Sequence, residues 1–326
     1  MKKKLAIIMP VYNEEAYIDD CIKSLMNQIF PKKDMQIFFV DGGSTDKTID
    51  IINKYVSKYP GLIYLLNNPN KTAPFAMNIG IENSDSEYII RLDAHAEYPD
   101  DYIEKCIYYL EKTDAHNVGG LAKTKGKGHL GKIIAKLLSS KFGVGNSQFR
   151  TEGKSGYVDT VPFGAFPRKI FKEIGLYDTR LTRNQDNELN YRIRKNGGKI
   201  YLSKGISFTY YCRNTLTGLL NMGKNNGKWN VITMKLVPGS MGVRHFIPFV
   251  FLLSLILMPI LSVFSTKLLY IFVVELALYF FLDIVFSIKE AENLKEFFVL
   301  LGMYPLFHIS YGFGSLIGIF NLHKFK

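Results

Sequence analysis

Three long apolar runs near the C-terminus constrain the fold of this 326-residue chain more than any other feature. Residues 246–264 hold 19 positions without a charge, residues 268–288 hold 21 with two carboxylates, and residues 297–320 hold 24 without a charge. About 20 apolar residues suffice for a helix to cross a bilayer. The runs therefore predict a membrane-spanning region, with the buried core of a soluble domain as the alternative.

The number of complete spans is open. The second run contains Glu275 and Asp283, and each carboxylate at membrane depth costs about 2.5–3.5 kcal/mol unless it faces other helices or water. The third run contains Pro305 and several glycines, which is compatible with a kinked or re-entrant segment. Three spans, or two spans and a re-entrant segment, are both consistent with the sequence.

Charge is concentrated before these runs. The chain carries 41 basic and 29 acidic residues, a net charge of +12, whereas residues 246–326 carry five of each. Residues 119–154 hold eight basic residues against Glu152, and residues 199–245 hold seven and no acidic residue. Both stretches adjoin membrane-like segments and lack a recognised nucleic-acid motif. We therefore expect a membrane and no nucleic acid as the partner of these charges.

Residues 132–142 show the pattern of a short amphipathic helix. Ile133, Ile134, Leu137 and Leu138 lie on one side, with lysines on the other. Such a helix is expected to lie in the bilayer interface. The alternative is a solvated lysine face on a helix that packs against the protein.

The first 230 residues alternate strand and helix patterns. Runs typical of β-strands occur at residues 5–9, 37–40 and 87–92, and helical spacing occurs at residues 44–56 and 100–110. This order predicts βαβ units around a parallel sheet, and so an α/β fold. Neither a G-x-G-x-x-G sequence after the first strand nor a P-loop sequence is present, which excludes the usual dinucleotide and P-loop sites.

Polar residues follow each predicted strand, where an open parallel sheet binds ligands. Tyr12 offers a ring that can stack on a base, and Asp41 can accept hydrogen bonds from a base or ribose. The alternatives are an ordinary half-buried aromatic residue and a turn residue.

Asp93 and His95 lie two residues apart just after the third strand. A carboxylate and an imidazole at this spacing can hold one divalent cation, either Mg²⁺ or Mn²⁺. A capping aspartate and a solvated histidine are the alternative.

Asp186 lies at the start of a predicted helix, as shown by the spacing of Leu189 and Ile193. A helix N-terminus favours the ionised carboxylate, the form that a general base requires. Glu188 must point in another direction and is expected to be structural. The alternative for Asp186 is a helix cap without chemistry.

Five ordered motifs now identify a resemblance. The chain resembles the inverting family 2 glycosyltransferases of GT-A fold over about residues 4–230. The sequence LDAH at residues 92–95 and the apolar tail are most similar to those of membrane glycosyltransferases of bacterial exopolysaccharide assembly, the succinoglycan type. The motifs are PVYNE at 10–14, DGGSTD at 41–46, NIG at 78–80, RLDAH at 91–95 and QDNEL at 185–189.

The resemblance implies an organisation in three parts. Residues 1–230 form the α/β GT-A domain, a Rossmann-like nucleotide-diphospho-sugar transferase fold. Residues 231–245 form a basic connection, and residues 246–326 form an α-helical transmembrane region with the three candidate spans given above.

The resemblance also implies the roles of the donor-binding residues. Tyr12 and Asp41 hold the nucleobase, Pro10 and Glu14 shape its pocket, and Lys71 reaches the nucleotide.

The remaining site residues are assigned in the same way. Asp93 and His95 stand at the metal motif, with Mg²⁺ or Mn²⁺ as cofactor, and Asp93 also contributes to donor binding. Asp186 matches the catalytic base that deprotonates the acceptor hydroxyl.

The implied function is single-sugar transfer from a nucleotide sugar, with a UDP-sugar as the expected donor, to a polyprenyl-diphosphate-linked or other lipid acceptor in exopolysaccharide or cell-surface glycan biosynthesis. We expect a multi-pass protein of the cell membrane with a cytoplasmic catalytic domain. A processive polysaccharide synthase is the alternative, although residues 225–229 match the Q-x-x-R-W sequence of such enzymes only loosely. A further alternative is a membrane protein that binds a nucleotide sugar without catalysis.

Overall fold

The computed structural model describes residues 2–151 and 153–325. Nine strands occur in this part of the chain. They are β1 (Leu5–Val11), β2 (Met35–Asp41), β3 (Ile63–Asn67), β4 (Tyr88–Arg91), β5 (Ala96–Glu97), β6 (Asn117–Lys125), β7 (Gly156–Tyr157), β8 (Ala165–Pro167) and β9 (Ile200–Tyr211).

Twelve α-helices occur in the same described residues. They are α1 (Ile18–Met26), α2 (Thr48–Lys58), α3 (Ala73–Glu82), α4 (Tyr102–Lys112), α5 (Gly128–Ser139), α6 (Lys141–Val144), α7 (Lys169–Ile174), α8 (Gln185–Lys195), α9 (Leu216–Leu236), α10 (Ile247–Ser262), α11 (Thr266–Glu290) and α12 (Leu294–Phe320). The chain forms two compact units, Met1–Lys123 with Glu152–Tyr210, and Thr124–Thr151 with Tyr211–Lys326.

A mixed sheet organises the first unit. Its strand order is β3-β2-β1-β4-β8-β6-β9-β5, and β7 pairs with β9. The predicted parallel arrangement is confirmed for β1 to β4, because β1 pairs in parallel with both β2 and β4, and β2 pairs in parallel with β3. It is wrong beyond β4, since β8 runs antiparallel to both β4 and β6. The direction of a strand depends on the route of the chain into the sheet, which local patterns do not encode.

The motif NIG at 78–80 has a packing role. A Cβ on Gly80 would lie 2.5 Å from Cγ2 of Ile8, so α3 can rest on β1 only without a side chain there. Asn78 donates from Nδ2 to the Tyr177 carbonyl and accepts the Tyr177 N–H, both at 2.9 Å. These bonds hold the segment before α8 against α3.

Three helices of the second unit are long and apolar enough to cross a membrane. They comprise Val243–Ser262, Thr266–Glu290 and Leu294–Phe320, so the three predicted runs are confirmed as helices. The third is a single helix of 27 residues, about 40 Å long at 1.5 Å per residue. A helix of this length could cross a membrane.

The carboxylates of the second run face protein. Ser254 donates from Oγ to Glu275 at 2.5 Å, and Ser287 donates to the fully buried Asp283 at 3.2 Å. These contacts lower the cost of placing both side chains in a span.

α9 packs closely against α12. A Cβ on Gly314 of α12 would overlap the carbonyl oxygen of Lys224 in α9. Small residues at such contacts let two helix backbones approach in a membrane. Gly312, Gly314 and Gly318 of the third run therefore serve helix packing, and α12 is unbroken. Trp229, in the segment compared with Q-x-x-R-W, packs edge-on against Phe325 within the same unit.

The predicted amphipathic helix corresponds to α5. Its apolar residues Ile133, Ile134, Leu137 and Leu138 are at most 2% exposed, so this face is buried within the protein and does not contact lipid. Lys136 bonds to Glu292 at 2.9 Å and to Glu296 at 2.6 Å. The expected insertion of this apolar face into the bilayer interface is therefore wrong, because α12 and other helices of its unit cover it.

Candidate functional site

The carboxyl ends of β1 and β4 lie at the point where the strand order reverses. β2 and β3 continue on one side of β1, while β4 pairs with its other side. The β1–β4 register ends at Ile8 and Arg91, whereas Pro10 remains paired with Val40 of β2. Ligands of open α/β sheets bind in the crevice at such a reversal. The predicted site residues of β1 and β4 therefore share one edge of the sheet.

The loops after β1 and β2 are joined by hydrogen bonds. The Asn13 N–H donates to Ser44 Oγ at 2.9 Å, and the Thr45 N–H donates to Asn13 Oδ1 at 2.8 Å. The Glu14 N–H donates to Thr48 Oγ1 at 2.7 Å. These bonds join the PVYNE motif to the DGGSTD motif and to Thr48 just after it.

Tyr12 and Asp41 differ in their availability to a ligand. The Tyr12 side chain is 55% exposed, so its ring can stack on a base. Asp41 is 5% exposed, and its carboxylate accepts the N–H groups of Gly43 and Ser44 and, at 2.6 Å, the Ser44 hydroxyl. Asp41 thus shapes its own turn, and a contact with the base stays a prediction.

Lys71 lies in the neighbouring loop after β3. The Asn68 N–H donates to the Asp41 carbonyl at 2.7 Å, and the Lys71 N–H donates to the Asn68 carbonyl at 3.1 Å. A Cβ on Gly42 would lie 3.2 Å from the Lys71 carbonyl oxygen. The exposed Lys71 side chain therefore belongs to the edge that carries Asp41.

Arg91 brings two predicted site carboxylates together. Its Nη1 donates to Asp186, and its Nη2 donates to Asp93 Oδ1 at 3.1 Å. The guanidinium carbon lies 5.6 Å from the centre of the Phe163 ring. The Arg91 side chain is 7% exposed, against 20% for Asp93 and 28% for Asp186. The metal motif and the predicted base thus lie side by side, although 93 positions separate the two aspartates.

Asp186 lies in the first turn of α8, as predicted. Burial raises the pKa of its carboxyl above the ordinary value of 3.8, and the charge and hydrogen bond of Arg91 oppose this without cancelling it. Burial therefore outweighs the groups that favour the ionised form. A raised pKa suits a general base, which works best with a pKa near the operating pH.

Glu188 is structural, as predicted. It is 1% exposed and accepts two hydrogen bonds from Arg192, at 2.5 and 2.8 Å. Arg192 also donates to the carbonyls of Ile174 and Leu176, at 2.6 and 2.8 Å. The pair therefore fastens α8 to the segment before it.

His95 contacts a carboxylate of the β1 loop. Its Nδ1 lies 3.0 Å from Glu14 Oε1, and its ring packs edge-on against Tyr210. Donation from Nδ1 to a carboxylate leaves the lone pair on Nε2, the arrangement typical of metal-binding histidines. Glu14 thus contacts His95, and its predicted role in the base pocket is untested.

The donor set fits a cation that substrate phosphates help to hold. No group of three or more His, Cys, Asp or Glu side chains that could hold a metal occurs in residues 2–151 and 153–325. Mg²⁺ commonly binds one or two carboxylates together with substrate phosphates and water. Asp93 with His95 can supply the protein's part of such a site.

Backbone strain is concentrated around the crevice. Within the described residues, four non-glycine residues have a positive φ: Asn13, Lys71, Phe163 and Asn184, between 49° and 61°. They lie in the loops after β1 and β3, beneath the Arg91 guanidinium, and at the entrance to α8. Left-handed conformations of non-glycine residues cluster at functional sites, where the surrounding structure maintains them.

Arg91 and Phe163 have no role predicted from the sequence. A signal for Arg91 was present, because it is a charge at the end of the otherwise uncharged strand 88–91. Its Nε and the Tyr177 hydroxyl are buried without a hydrogen-bond partner in the part of the chain that is described. Nothing in the local sequence indicates Phe163, which reaches Arg91 only through the fold.

Residues 6–175 match the family "Glycosyl transferase family 2".

Two curated relatives are similar over most of their length. One, from Methanococcus voltae, is a dolichyl N-acetyl-alpha-D-glucosaminyl phosphate 3-beta-D-2,3-diacetamido-2,3-dideoxy-beta-D-glucuronosyltransferase, 31% identical over 95% of this chain and 95% of its own. The other is the succinoglycan biosynthesis protein ExoA of Rhizobium meliloti, 31% identical over 74% of this chain and 73% of its own.

Among solved structures, the mannosyltransferase PcManGT of Pyrobaculum calidifontis, in complex with GDP-Man and Mn²⁺, is similar in fold. It has a TM-score of 0.66 and 14% identity, over 97% of this chain and 88% of its own. At this identity the likeness concerns the fold, and it extends through both compact units of the chain.

Proposed function

The chain belongs to glycosyl transferase family 2 and is a glycosyltransferase, and on this premise we propose that it moves one sugar, with inversion, from a nucleotide sugar to a lipid-linked acceptor. The observation that carries the site assignment is the shared contact of Asp93 and Asp186 with Arg91. This contact supports the assignment of Asp93 to the donor and of Asp186 to the base, because one substrate pair could reach both carboxylates.

The proposed reaction is a direct displacement. The Asp186 carboxylate takes the proton of the acceptor hydroxyl as the acceptor oxygen attacks the anomeric carbon of the donor. The bond to the diphosphate breaks on the opposite face, so the configuration inverts. A burial-raised pKa increases the proton affinity of Asp186, while Arg91 favours the ionised state that begins the reaction.

The donor lies along the loops after β1, β2 and β3. Tyr12 stacks on the base, Asp41 and Lys71 contact the nucleotide, and Asp93 with His95 would hold Mg²⁺ or Mn²⁺. When bound, this cation neutralises charge that develops on the leaving diphosphate. We expect a UDP-sugar as the donor.

The acceptor is proposed from the second unit and the relatives. Three helices are suited to crossing a membrane, and the names of the two relatives refer to a dolichyl phosphate glycan and to succinoglycan. A polyprenyl-diphosphate-linked saccharide in a bacterial membrane would present its sugar at the bilayer surface. We place the catalytic unit in the cytoplasm, where nucleotide sugars are made.

The test is an assay of the purified full chain with a panel of UDP-, GDP- and dTDP-sugars, Mn²⁺ or Mg²⁺, and polyprenyl-linked saccharides. Asp186→Asn and Asp93→Asn should each reduce transfer at least 100-fold, on the order of the loss of a catalytic group. Asp114→Asn, at an exposed carboxylate of the same unit, is the control. Full transfer by Asp186→Asn would refute the site assignment, and polymeric products would favour a processive synthase.

A further inference from the structure

Arg91 is a buried cation in a strand that is otherwise uncharged. It ends β4, is 5% exposed, and its N–H donates to the Gly164 carbonyl at 3.0 Å. A buried charge is costly unless it is paired and hydrogen-bonded. Here the pairing partners are the two carboxylates that the proposed reaction uses on its donor side and its acceptor side.

The guanidinium is held in three directions. One terminal nitrogen bonds to Asp186, the other bonds to Asp93, and the plane lies on the Phe163 ring. A guanidinium is rigid and planar, so two bonds from its fork fix the separation and the orientation of both carboxylates. A lysine in the same place supplies a similar charge as a single point and cannot impose this geometry.

Two residues at or near the contacts of Arg91 have a strained, left-handed backbone conformation. Phe163, which carries the ring beneath the guanidinium, has φ of 49°, and Asn184, two residues before Asp186, has φ of 61°. Such conformations are energetically costly for residues other than glycine and persist where the surrounding structure requires them. Both elements that meet Arg91 are therefore held in uncommon conformations at the point of contact.

We propose that Arg91 is a positioning residue that sets Asp93 and Asp186 in one fixed arrangement, so that occupation of the donor site and orientation of the base are coupled. This proposal rests on the proposed roles of the two aspartates. It assigns to Arg91 no contact with the reacting atoms, since the residue acts through the carboxylates. The competing explanation is simple charge neutralisation, in which any cation would serve.

Arg91→Lys separates these two explanations because it retains a cation and loses the fork. We expect kcat to fall about 10–100-fold, the usual cost of losing a group that orients a ligand, with a smaller change in the donor KM. The variant should still unfold cooperatively. Arg180→Lys is the matched control, because Arg180 also bonds to an aspartate but lies on the surface, 60% exposed. A folded Arg91→Lys variant with wild-type kcat would overturn the proposal.

A double-mutant comparison tests the route of action. If Arg91 acts through the two aspartates, Arg91→Lys should slow transfer less in the Asp186→Asn background than in the wild type, because only the effect through Asp93 remains there. Losses that multiply would show independent action and contradict the proposal. Full transfer by Asp186→Asn itself would refute the proposed function, a different result from failure of the Arg91 proposal.

Metal binding supplies a readout without turnover. Mn²⁺ binding in the presence of UDP, and separately of GDP, can be followed by electron paramagnetic resonance. Arg91→Lys should weaken Mn²⁺ binding with the nucleotide that the wild type prefers, whereas Arg180→Lys should not. Unchanged Mn²⁺ binding in Arg91→Lys would contradict a role in positioning Asp93.

Discussion

At the scale of single residues, the site depends on how a few side chains share their partners. The Asp41 carboxylate accepts hydrogen bonds from its own turn, Glu14 contacts His95, and Arg91 bonds to two carboxylates. The motifs predict roles for Asp41 and Glu14 from their position in the sequence, and they predict none for Arg91. Their contacts give more specific expectations for chemistry than the motifs do.

The pH dependence of transfer follows from Asp186. Burial raises the pKa of this carboxyl, and the reaction requires its ionised form, so kcat/KM should fall as pH falls through a value above 3.8, the ordinary pKa of an aspartate. A pH profile of kcat/KM measures this acid limb. The residual activity of Asp186→Asn should lack it; a limb that persists in that variant would assign the titration to another group.

Glu14→Gln tests the orientation of His95. The amide removes the charged acceptor of the His95 Nδ1–H, so Mn²⁺ binding in the presence of UDP or GDP should weaken about 10–100-fold. Glu15→Gln is the control, because Glu15 lies next in the chain and its carboxylate accepts the Lys47 N–H. Equal Mn²⁺ affinity in both variants would exclude His95 as a ligand oriented by Glu14.

At the scale of elements, helix faces are assigned by what covers them. α5 has the spacing of a membrane-surface helix, yet its apolar face is buried and its Lys136 pairs with two glutamates at the start of α12. α12 has the glycine content of an irregular segment, yet it is one helix, and Gly312, Gly314 and Gly318 lie against the backbones of neighbouring helices. Amphipathic spacing and glycine content thus indicate that a helix has a contact surface, but they do not indicate which segment it contacts.

Lys136→Gln should destabilise the second unit. It leaves Glu296, whose side chain is 8% exposed, without its cationic partner, at a cost of roughly 1–3 kcal/mol. Thermal unfolding in detergent measures the loss. Lys132→Gln, on the exposed side of the same helix, should leave unfolding unchanged; equal effects of the two substitutions would count against the buried pair.

The exposed lysines Lys132 and Lys141 remain candidates for contact with an anionic leaflet or acceptor. Neutralising both to glutamine should weaken transfer to lipid acceptors while leaving nucleotide binding unchanged, since each basic residue near such a surface adds about 1 kcal/mol. The assay compares long-chain lipid acceptors with short water-soluble ones. Undiminished transfer to the lipid acceptor would make them ordinary solvated side chains.

Gly314→Ala tests the contact of α12 with α9. The added Cβ would overlap the Lys224 carbonyl, and overpacking of this kind costs typically about 1–3 kcal/mol. Gly302→Ala on the same helix meets no atom within 4 Å and should be neutral or slightly stabilising. Thermal unfolding of the two variants gives the comparison, and a stable Gly314→Ala protein would refute close packing at this point.

At the scale of the whole molecule, the chain joins an α/β unit to a unit of long apolar helices. The predicted boundary at residue 230 falls within α9, a helix that packs on α12, and the three-part division stays a prediction. If all three candidate helices cross the bilayer, the first unit and the C-terminus lie on opposite sides. With a cytoplasmic first unit, Lys324 would then lie outside the cytoplasm, against the positive-inside tendency. The sidedness therefore calls for a direct measurement.

Cysteine labelling can determine the sidedness. Cys21, Cys106 and Cys212 are buried, so an added surface cysteine reports its own side. With a cytoplasmic first unit, Lys58→Cys should react with a membrane-impermeant maleimide in inverted vesicles, and His323→Cys should react in right-side-out vesicles. Labelling of both from the same side would exclude three full spans.

The sequence by itself determined the class of the protein. Hydropathy over about 20 residues depends only on composition, so the three runs were found. The order of strands, helices and strand-end motifs was enough for the α/β class and the family. Asp186 at the start of α8 and the structural role of Glu188 were also predicted, because helix spacing is local.

Only the tertiary structure decided which of these residues act together. The antiparallel strands beyond β4, the burial of the apolar face of α5 and the meeting of Asp93 with Asp186 at Arg91 all join segments far apart in the chain. Contacts of this kind depend on the path of the backbone, and no local spacing specifies them. Arg91 is the clearest case, since its role exists only where β4, α8 and Phe163 converge.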